Sequence, residues 1–232
     1  MSLIFDGIRQ AFLLLIHGDI QMLKVAGLSL LVSGIATVIS LLIGIPLGVV
    51  IGLNKFPGKR FIASLINAGM GAPPVVVGLI VLIFLWRSGP LGFLNIIYTP
   101  AAMVIAQVII ALPIIAGFTM AAIQQLDPKL RMQIFALGAS RMQMVWLLLR
   151  EARLPLLAAV MAGFGAVISE VGASMMVGGN IVNHTRIMTT AIVAESSKGA
   201  FDMAIALSII LLIIVYLVNL LLTWIQQRGK NA

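Results

Sequence analysis

The sequence predicts an all-α integral membrane protein with five transmembrane helices, and three observations support this fold class. Apolar residues make up 61% of the 232 residues and charged residues 9%, against about 45–50% and about 25% in soluble domains. Several uncharged apolar runs reach the about 20 residues that cross a bilayer as a helix. An interval with frequent charges, residues 124–155, separates two of these runs. No linker divides the chain, so we expect one domain over residues 1–232.

The apolar runs give the predicted elements in order. Residues 1–20 show helical apolar spacing but are too short to span, so we expect an interfacial helix, at the membrane surface or against a partner subunit. The spans are expected at residues 25–53, 61–86, about 100–123, 154 to about 177, and 203–225. Pro73 and Pro74 interrupt the second span. Two arrangements fit: a mid-membrane kink, or a helix that starts at Pro73 after a short re-entrant piece.

The basic residues predict an orientation, because five spans place the two termini on opposite sides. With the amino terminus outside, ten basic residues lie inside and five outside, which favours amino terminus out and carboxy terminus in. The inner set is Lys55, Lys59, Arg60, Lys129, Arg131, Arg141, Arg150, Arg153, Arg228 and Lys230, and the outer set is Arg9, Lys24, Arg87, Arg186 and Lys198. The net charge of +8 therefore fits membrane topology, and we expect no nucleic-acid partner.

We expect no catalytic, metal or cofactor site in this chain. It has no cysteine, which excludes disulfides, thiolate metal sites and cysteine nucleophiles. The glycines at Gly52 and Gly58 do not form a phosphate-binding loop, because Arg60 stands where that loop requires Ser or Thr. His17 and His184 are far apart in the sequence and have no partners at metal-ligand spacing.

The charged interval at residues 124–155 predicts a helix, a sharp turn and a second helix. It contains five of the fifteen basic residues. Asp127 followed by Pro128 is a strong helix start, because the carboxylate caps the first turn and Pro suits the first helical position. Gly138 can end this helix in the left-handed conformation, and Ser140 can cap the next helix.

The same interval resembles the cytoplasmic coupling loop of ABC importer permeases. The resemblance rests on residues 135–141, Phe-Ala-Leu-Gly-Ala-Ser-Arg, with Leu154-Pro155 downstream. The family's Glu-Ala-Ala positions read Met-Gln-Ile at 132–134, and Leu-Pro lies four residues later than in the family pattern. An ordinary basic cytoplasmic loop is the alternative. The resemblance implies a loop that docks in a groove on a separate ATPase subunit, with the coupling residues Gly138, Ala139, Ser140 and Arg141.

Glu170 is the only carboxylate inside a predicted span, and the cost of burying a carboxylate in lipid makes it a functional candidate. Two roles fit it equally: a gating role, or a structural role in which a neighbouring helix terminus donates hydrogen bonds to it. Most of the thirteen methionines are expected to be flexible apolar packing. Met175 and Met176 are the pair that can sit in a gate.

The segment from Glu170 to Ile192 resembles the molybdate/sulfate/tungstate branch of ABC permeases, in which Glu-x-Gly-Ala precedes Gly-Asn-Ile and a Thr-rich helix. Residues 181–186 and the pair at 189–190 are most similar to tungstate permeases. The implied pore or gate candidates are Glu170, Gly172, Met175, Met176, Gly178, Gly179, Asn180 and Arg186. For Arg186 two roles are open: drawing a dianion into the outer mouth of the pore, or anchoring the interface, with Glu195 as a salt-bridge partner.

The resemblance implies a permease subunit, not an enzyme, in the bacterial cytoplasmic (inner) membrane. It implies ATP-driven import of a tetrahedral oxyanion, tungstate before molybdate or sulfate. The implied partners are a second copy of the chain in a homodimer, two ATP-binding cassette subunits that carry ATP and magnesium, an extracytoplasmic oxyanion-binding protein, and membrane lipid. A secondary transporter or channel that needs no ATP, and a membrane scaffold that transports nothing, are the rival classes.

Overall fold

A computed structural model of the protein describes residues 2–17 and 20–228, and helices dominate this part of the chain. A short 3-10 helix, Gly92–Leu94, lies between α4 and α5, and no strand occurs in the described ranges. The predicted all-α class is therefore confirmed. The helices are α1 Ser2–His17, α2 Ile20–Leu53, α3 Lys59–Met70, α4 Pro74–Leu85, α5 Pro100–Gln124, α6 Pro128–Ala136, α7 Arg141–Glu151, α8 Arg153–Ile168, α9 Gly172–Gly178, α10 Met188–Ser197 and α11 Phe201–Arg228.

Three helices within the described ranges are long and apolar enough to cross a membrane. They are α2, α5 and α11, with mean hydropathy of 2.4, 2.4 and 3.0. Two bent pairs satisfy the same criteria when each pair is counted as one span: α3 with α4, and α7 with α8. The chain therefore has three to five candidate spans. The five predicted from the sequence match the upper end of this range in number, but the predicted fourth span, 154 to about 177, does not include α7.

The second predicted span consists of two separate helices. α3 and α4 meet at an angle of 102°, and the break between them holds Gly71, Ala72 and Pro73. Pro73 is extended, with φ −62° and ψ 121°, and Pro74 is the first residue of α4. Pro lacks the N–H that a continuous helix needs, and the residue before a proline avoids the helical conformation. α4 thus begins at Pro74, one residue after the start at Pro73 that one of the two predicted arrangements gives.

The fourth predicted span is also broken, and the prediction of a continuous helix to about Val177 is wrong. α8 ends at Ile168, and the short helix α9 follows after a three-residue break at 169–171. Glu170 lies in this break rather than inside a span. Its side chain and carbonyl make hydrogen bonds there to other parts of the chain, and these bonds replace those of a continuous helix.

A close crossing of α2 and α5 forms the centre of the bundle. Gly44, Gly48 and Gly52 repeat every fourth residue on α2 and face α5. A Cβ at Gly48 would lie 2.6 Å from the Ala116 carbonyl oxygen. Small residues permit such an approach, and in lipid the resulting van der Waals contact takes the place of the hydrophobic effect. α8 and α9 pack against α5. The crossing of α2 and α5 therefore fixes the position of the helices that carry the candidate site.

The N-terminal helix α1 packs along α11 of the same chain. A Cβ at Gly7 would lie 2.5 Å from Ile205 Cγ2, so the two helices approach closely there. Phe5, Phe12 and Ile16 are exposed on α1. The location of α1 at the membrane interface stays a prediction.

Candidate functional site: the helix pair and the broken segment

The turn between α6 and α7 has the local structure that the sequence predicts. Asp127 caps α6 by accepting a hydrogen bond from Lys129 N at 2.8 Å. Ser140 and Gln143 form a capping box at α7, in which Gln143 N donates to Ser140 Oγ at 3.4 Å and Ser140 N donates to Gln143 Oε1 at 2.8 Å. Gly138 has φ +80°, and a Cβ there would meet no atom within 4 Å. The turn therefore needs glycine for its backbone and not for lack of space.

One face of the α6–α7 pair attaches to the bundle. Ile134, Met144 and Leu148 are buried in a cluster with Val49 of α2 and residues of α5. Arg131 Nη1 donates to the Leu53 carbonyl at 2.9 Å, which satisfies an unpaired carbonyl at the end of α2. The pair is thus packed directly against α2 and α5.

The opposite face of the pair is apolar and exposed. Leu137 is 88% exposed and Met142 78%, and Met132, Phe135 and Trp146 are exposed nearby. Arg150 lies over the Trp146 ring, with its guanidinium carbon 5.6 Å from the ring centroid. Arg141 and Ser140 are exposed, and Ala139 is half-buried. An apolar patch among polar residues is typical of a protein contact surface.

Glu170 follows α8 and makes hydrogen bonds to two further helices. It is 7% exposed, and its Oε1 accepts a hydrogen bond at 2.8 Å from Ala173 N in the first turn of α9. Its carbonyl accepts a second bond at 2.8 Å from Thr189 Oγ1 on α10. A carboxylate suits the N-terminal end of a helix, where backbone N–H groups are free. These are the contacts that the structural role predicts, and a gating role stays a prediction.

The glycines of the broken segment face close neighbours. A Cβ at Gly172 would lie 2.5 Å from Val75 Cγ2 on α4, and one at Gly178 would lie 2.8 Å from Met103 Sδ on α5. Gly78 of α4 makes the reciprocal contact, because its Cβ would lie 2.5 Å from Ala173 Cα. α9 is thus held tightly between α4 and α5. Met175 and Met176 are half-buried on it.

The loop after α9 has an unusual backbone. Gly179 has φ +69° and Asn180 φ +50°. Gly179 faces the Tyr98 ring, and Tyr98 N donates to the Val177 carbonyl at 2.9 Å. The Oδ1 atom of Asn180 is buried without a partner in the described part of the chain. Loop residues in the left-handed region need support from their surroundings, which these contacts provide.

A buried amide beside α9 was not among the residues predicted from the sequence. Gln107 of α5 is fully buried, and its Nε2 donates to Ser174 Oγ at 3.4 Å. Its Oε1 has no partner in the described ranges. The sequence does contain a feature that could have identified this residue, because Gln107 is the single amide side chain in the uncharged run from Pro100 to Ile123. It links α5 to the broken segment.

Arg186 lies six residues after Asn180, the last of the other pore candidates. It is located between α2, α10 and α11, where its Nη1 is 3.6 Å from Glu195 Oε1. Lys198 Nζ lies 2.7 Å from the same oxygen. The remaining candidates, from Glu170 to Asn180, form one continuous segment. Within the described ranges, no group of three or more His, Cys, Asp or Glu residues could hold a metal.

These features define a class: a helical membrane protein whose central helices carry a helix pair with an exposed apolar face. The family model described as the inner membrane component of binding-protein-dependent transport systems matches residues 44–229, and the chain belongs to this family.

Relatives over nearly the whole chain agree with this assignment. The tungstate uptake system permease protein TupB of Peptoclostridium acidaminophilum is 40% identical and covers 98% of this chain and 100% of its own length. A probable anion ABC transporter permease protein of Haloferax volcanii is 42% identical, covering 93% and 97%. TupB of Campylobacter jejuni is 36% identical, covering 94% and 92%. The resemblance to ABC permeases found in the sequence is confirmed.

A solved structure shows the same fold. It is the MetNI methionine ABC transporter in an inward-facing conformation, with a TM-score of 0.73 over 90% of this chain and 95% of that chain. The sequence identity is 20%, so the likeness concerns the fold. The relatives are transporter permease subunits and not enzymes.

Proposed function

We propose that this chain is the membrane-spanning permease subunit of an ATP-driven importer, and that its substrate is tungstate. The observation that carries the proposal is 40% identity to a tungstate uptake permease over 98% of the chain. The alternatives of molybdate or sulfate belong to the same branch and change the anion but not the mechanism.

The helix pair α6–α7 is the surface through which an ATPase subunit acts. A groove on that subunit would cover Leu137 and Met142, while the buried face of the pair moves α2 and α5 with it. The ATPase subunits supply ATP and magnesium. Two ATPase subunits bind two copies of this chain, which form a homodimer. An extracytoplasmic binding protein delivers the anion.

The broken segment from Glu170 to Asn180 is the proposed gate. The unused hydrogen-bonding capacity at this segment belongs to two amide oxygens, Gln107 Oε1 and Asn180 Oδ1, which accept hydrogen bonds and therefore do not bind an oxyanion. An anion that passes here can be held only by neutral N–H and O–H donors, and such weak binding suits a path that must release its cargo. The chain then crosses the inner membrane five times as one domain, with α1 at the interface, the amino terminus outside and the carboxy terminus in the cytoplasm.

Uptake in a deletion strain tests the substrate. Radiolabelled tungstate, molybdate and sulfate are supplied at equal concentration to cells that carry or lack the gene. We expect tungstate to accumulate at concentrations at which sulfate does not. A preference for sulfate would refute the tungstate assignment and leave the oxyanion importer standing.

A second arm of the same assay tests the energy source. ATP is depleted while the membrane potential is held, and tungstate uptake should then stop. Uptake that continues under these conditions would instead assign the chain to the ATP-independent transporters.

A further inference from the structure

The Arg186 guanidinium makes no hydrogen bond within the described ranges, although its side chain is only 19% exposed. Its Nε is buried and has no partner among the residues that the structure describes. Its Nη1 lies 3.6 Å from Glu195 Oε1, beyond hydrogen-bond distance, whereas Lys198 Nζ donates to that oxygen at 2.7 Å. Two cations thus share one carboxylate. Glu195 can balance only one of these two positive charges, and unused donors on a largely buried guanidinium cost free energy, so a second anion would stabilise the site.

Two adjoining cavities give an anion room beside Arg186. One, of about 200 Å³, lies between α2, α10 and α11 and includes Gln21 and Glu195. The other, of about 300 Å³, follows α2 past Lys24 to Leu31, and Arg186 lines both. Among the described residues, the second cavity is lined by the cations Lys24 and Arg186 and by no carboxylate. Its charge is therefore positive.

An uncovered apolar stripe on α2 begins at the edge of the second cavity. Leu31, Ile35, Val38 and Leu42 share one helix face, with exposure of 53% at Leu31 and 71% at Leu42. A Cβ at Gly27 on this helix would meet no atom within 4 Å. At about 1.5 Å per residue the stripe is about 16 Å long, close to half of an about 30 Å hydrocarbon layer. Its length thus matches one lipid acyl chain.

We propose that this groove binds one anionic phospholipid, with its phosphate between Arg186 and Lys24 and an acyl chain along the α2 stripe. The planar guanidinium suits a phosphate because it can donate two parallel hydrogen bonds, and in the predicted topology both cations lie on the outer side, where an outer-leaflet headgroup can reach them. A free oxyanion would satisfy the cations but would not use the apolar face of α2 that continues from the cavity. A second copy of the chain would cover the stripe and bring no phosphate. The site does not depend on which anion is transported.

Lipid retention in the assembled transporter tests this site. The complex is placed in nanodiscs that contain phosphatidylglycerol, and native mass spectrometry counts the lipid that remains bound per permease chain. We expect one retained molecule. Arg186→Gln removes charge-assisted hydrogen bonds and should weaken retention about tenfold or more.

Two further variants separate the groove from general effects. Gly27→Leu keeps the charges and adds a side chain where there is open space, so the protein should fold while the groove is filled and the lipid lost. Arg87→Gln, at an exposed arginine outside the groove, should leave retention unchanged. Equal retention in wild type, Arg186→Gln and Gly27→Leu would overturn the proposal.

Evidence for either of two other occupants of the groove would refute the proposal that it binds a lipid. Radiolabelled tungstate or inorganic phosphate that binds the complex in phosphatidylcholine nanodiscs, and is lost in Arg186→Gln while lipid retention is unchanged, would assign the cation to a free oxyanion. A disulfide between two chains that each carry Leu42→Cys would assign the stripe to a second copy.

Discussion

Glu170 shows how one buried carboxylate can hold a helix break in place. Its two hydrogen bonds reach α9 and α10, and both involve the region around a three-residue interruption. A glutamine at this position keeps an oxygen that can accept from Ala173 N but removes the charge. The two proposed roles, structural cap and charged gate, can therefore be separated by substitution.

We predict that Glu170→Ala lowers both stability and uptake, whereas Glu170→Gln retains most of each. Loss of a side-chain cap costs about 0.5–2 kcal/mol. The measurements are tungstate uptake and the apparent melting temperature of the purified complex. Thr189→Val, which removes the other bond and leaves the charge, serves as the control and should destabilise the complex. Equal loss of uptake in the Gln and Ala variants, with the Gln variant stable, would assign Glu170 to electrostatic gating.

At the scale of elements, the α6–α7 turn depends on Gly138. Valine at φ +80° is strained because its branched Cβ crowds the backbone, and a left-handed residue costs about 1–2 kcal/mol. Open space around the position means that this strain is the main effect. We predict that Gly138→Val inserts normally but loses much of its uptake and stimulated ATP hydrolysis.

Gly138→Asn is the matched control, because asparagine adopts the left-handed conformation more readily. It should keep most of the coupling that valine loses. Membrane insertion is checked by fractionation for both variants. Full transport by the valine variant would remove the turn from the coupling mechanism.

The sequence predicted this pair well because its signals are local. Asp127, Gly138 and Ser140 each act within three residues of their own position. Hydropathy likewise indicated α2, α5 and α11.

The break after Ile168 could not be predicted in the same way. Residues 169–171 contain no proline or glycine, and the break depends on a bond from Thr189, nineteen residues away. The prolines at 73–74 indicated a break, but its angle of 102° depends on packing, with α3 against α5 and α4 against α9. Arg186 was recognised as a candidate, yet its unmet donors are visible only in three dimensions.

At the scale of the whole molecule, the five-span arrangement makes a simple prediction about sidedness. Lys55, in the loop after α2, and Ser196, near the end of α10, are exposed. Because the chain has no cysteine, Lys55→Cys and Ser196→Cys each introduce a single thiol. An impermeant maleimide should label the Ser196 variant in intact cells and the Lys55 variant only after permeabilisation. Labelling of both from one side would contradict five spans.

The exposed apolar face at Leu137 and Met142 also affects how fast the protein is degraded before the transporter is assembled. If an ATPase subunit covers this patch, as proposed above, a chain inserted without that subunit presents apolar surface to water, and chaperones and proteases bind such surface. Its steady-state abundance should therefore follow the supply of the subunit that covers it. Synthesis of the two subunits in matched amounts would then limit degradation as well as provide transport.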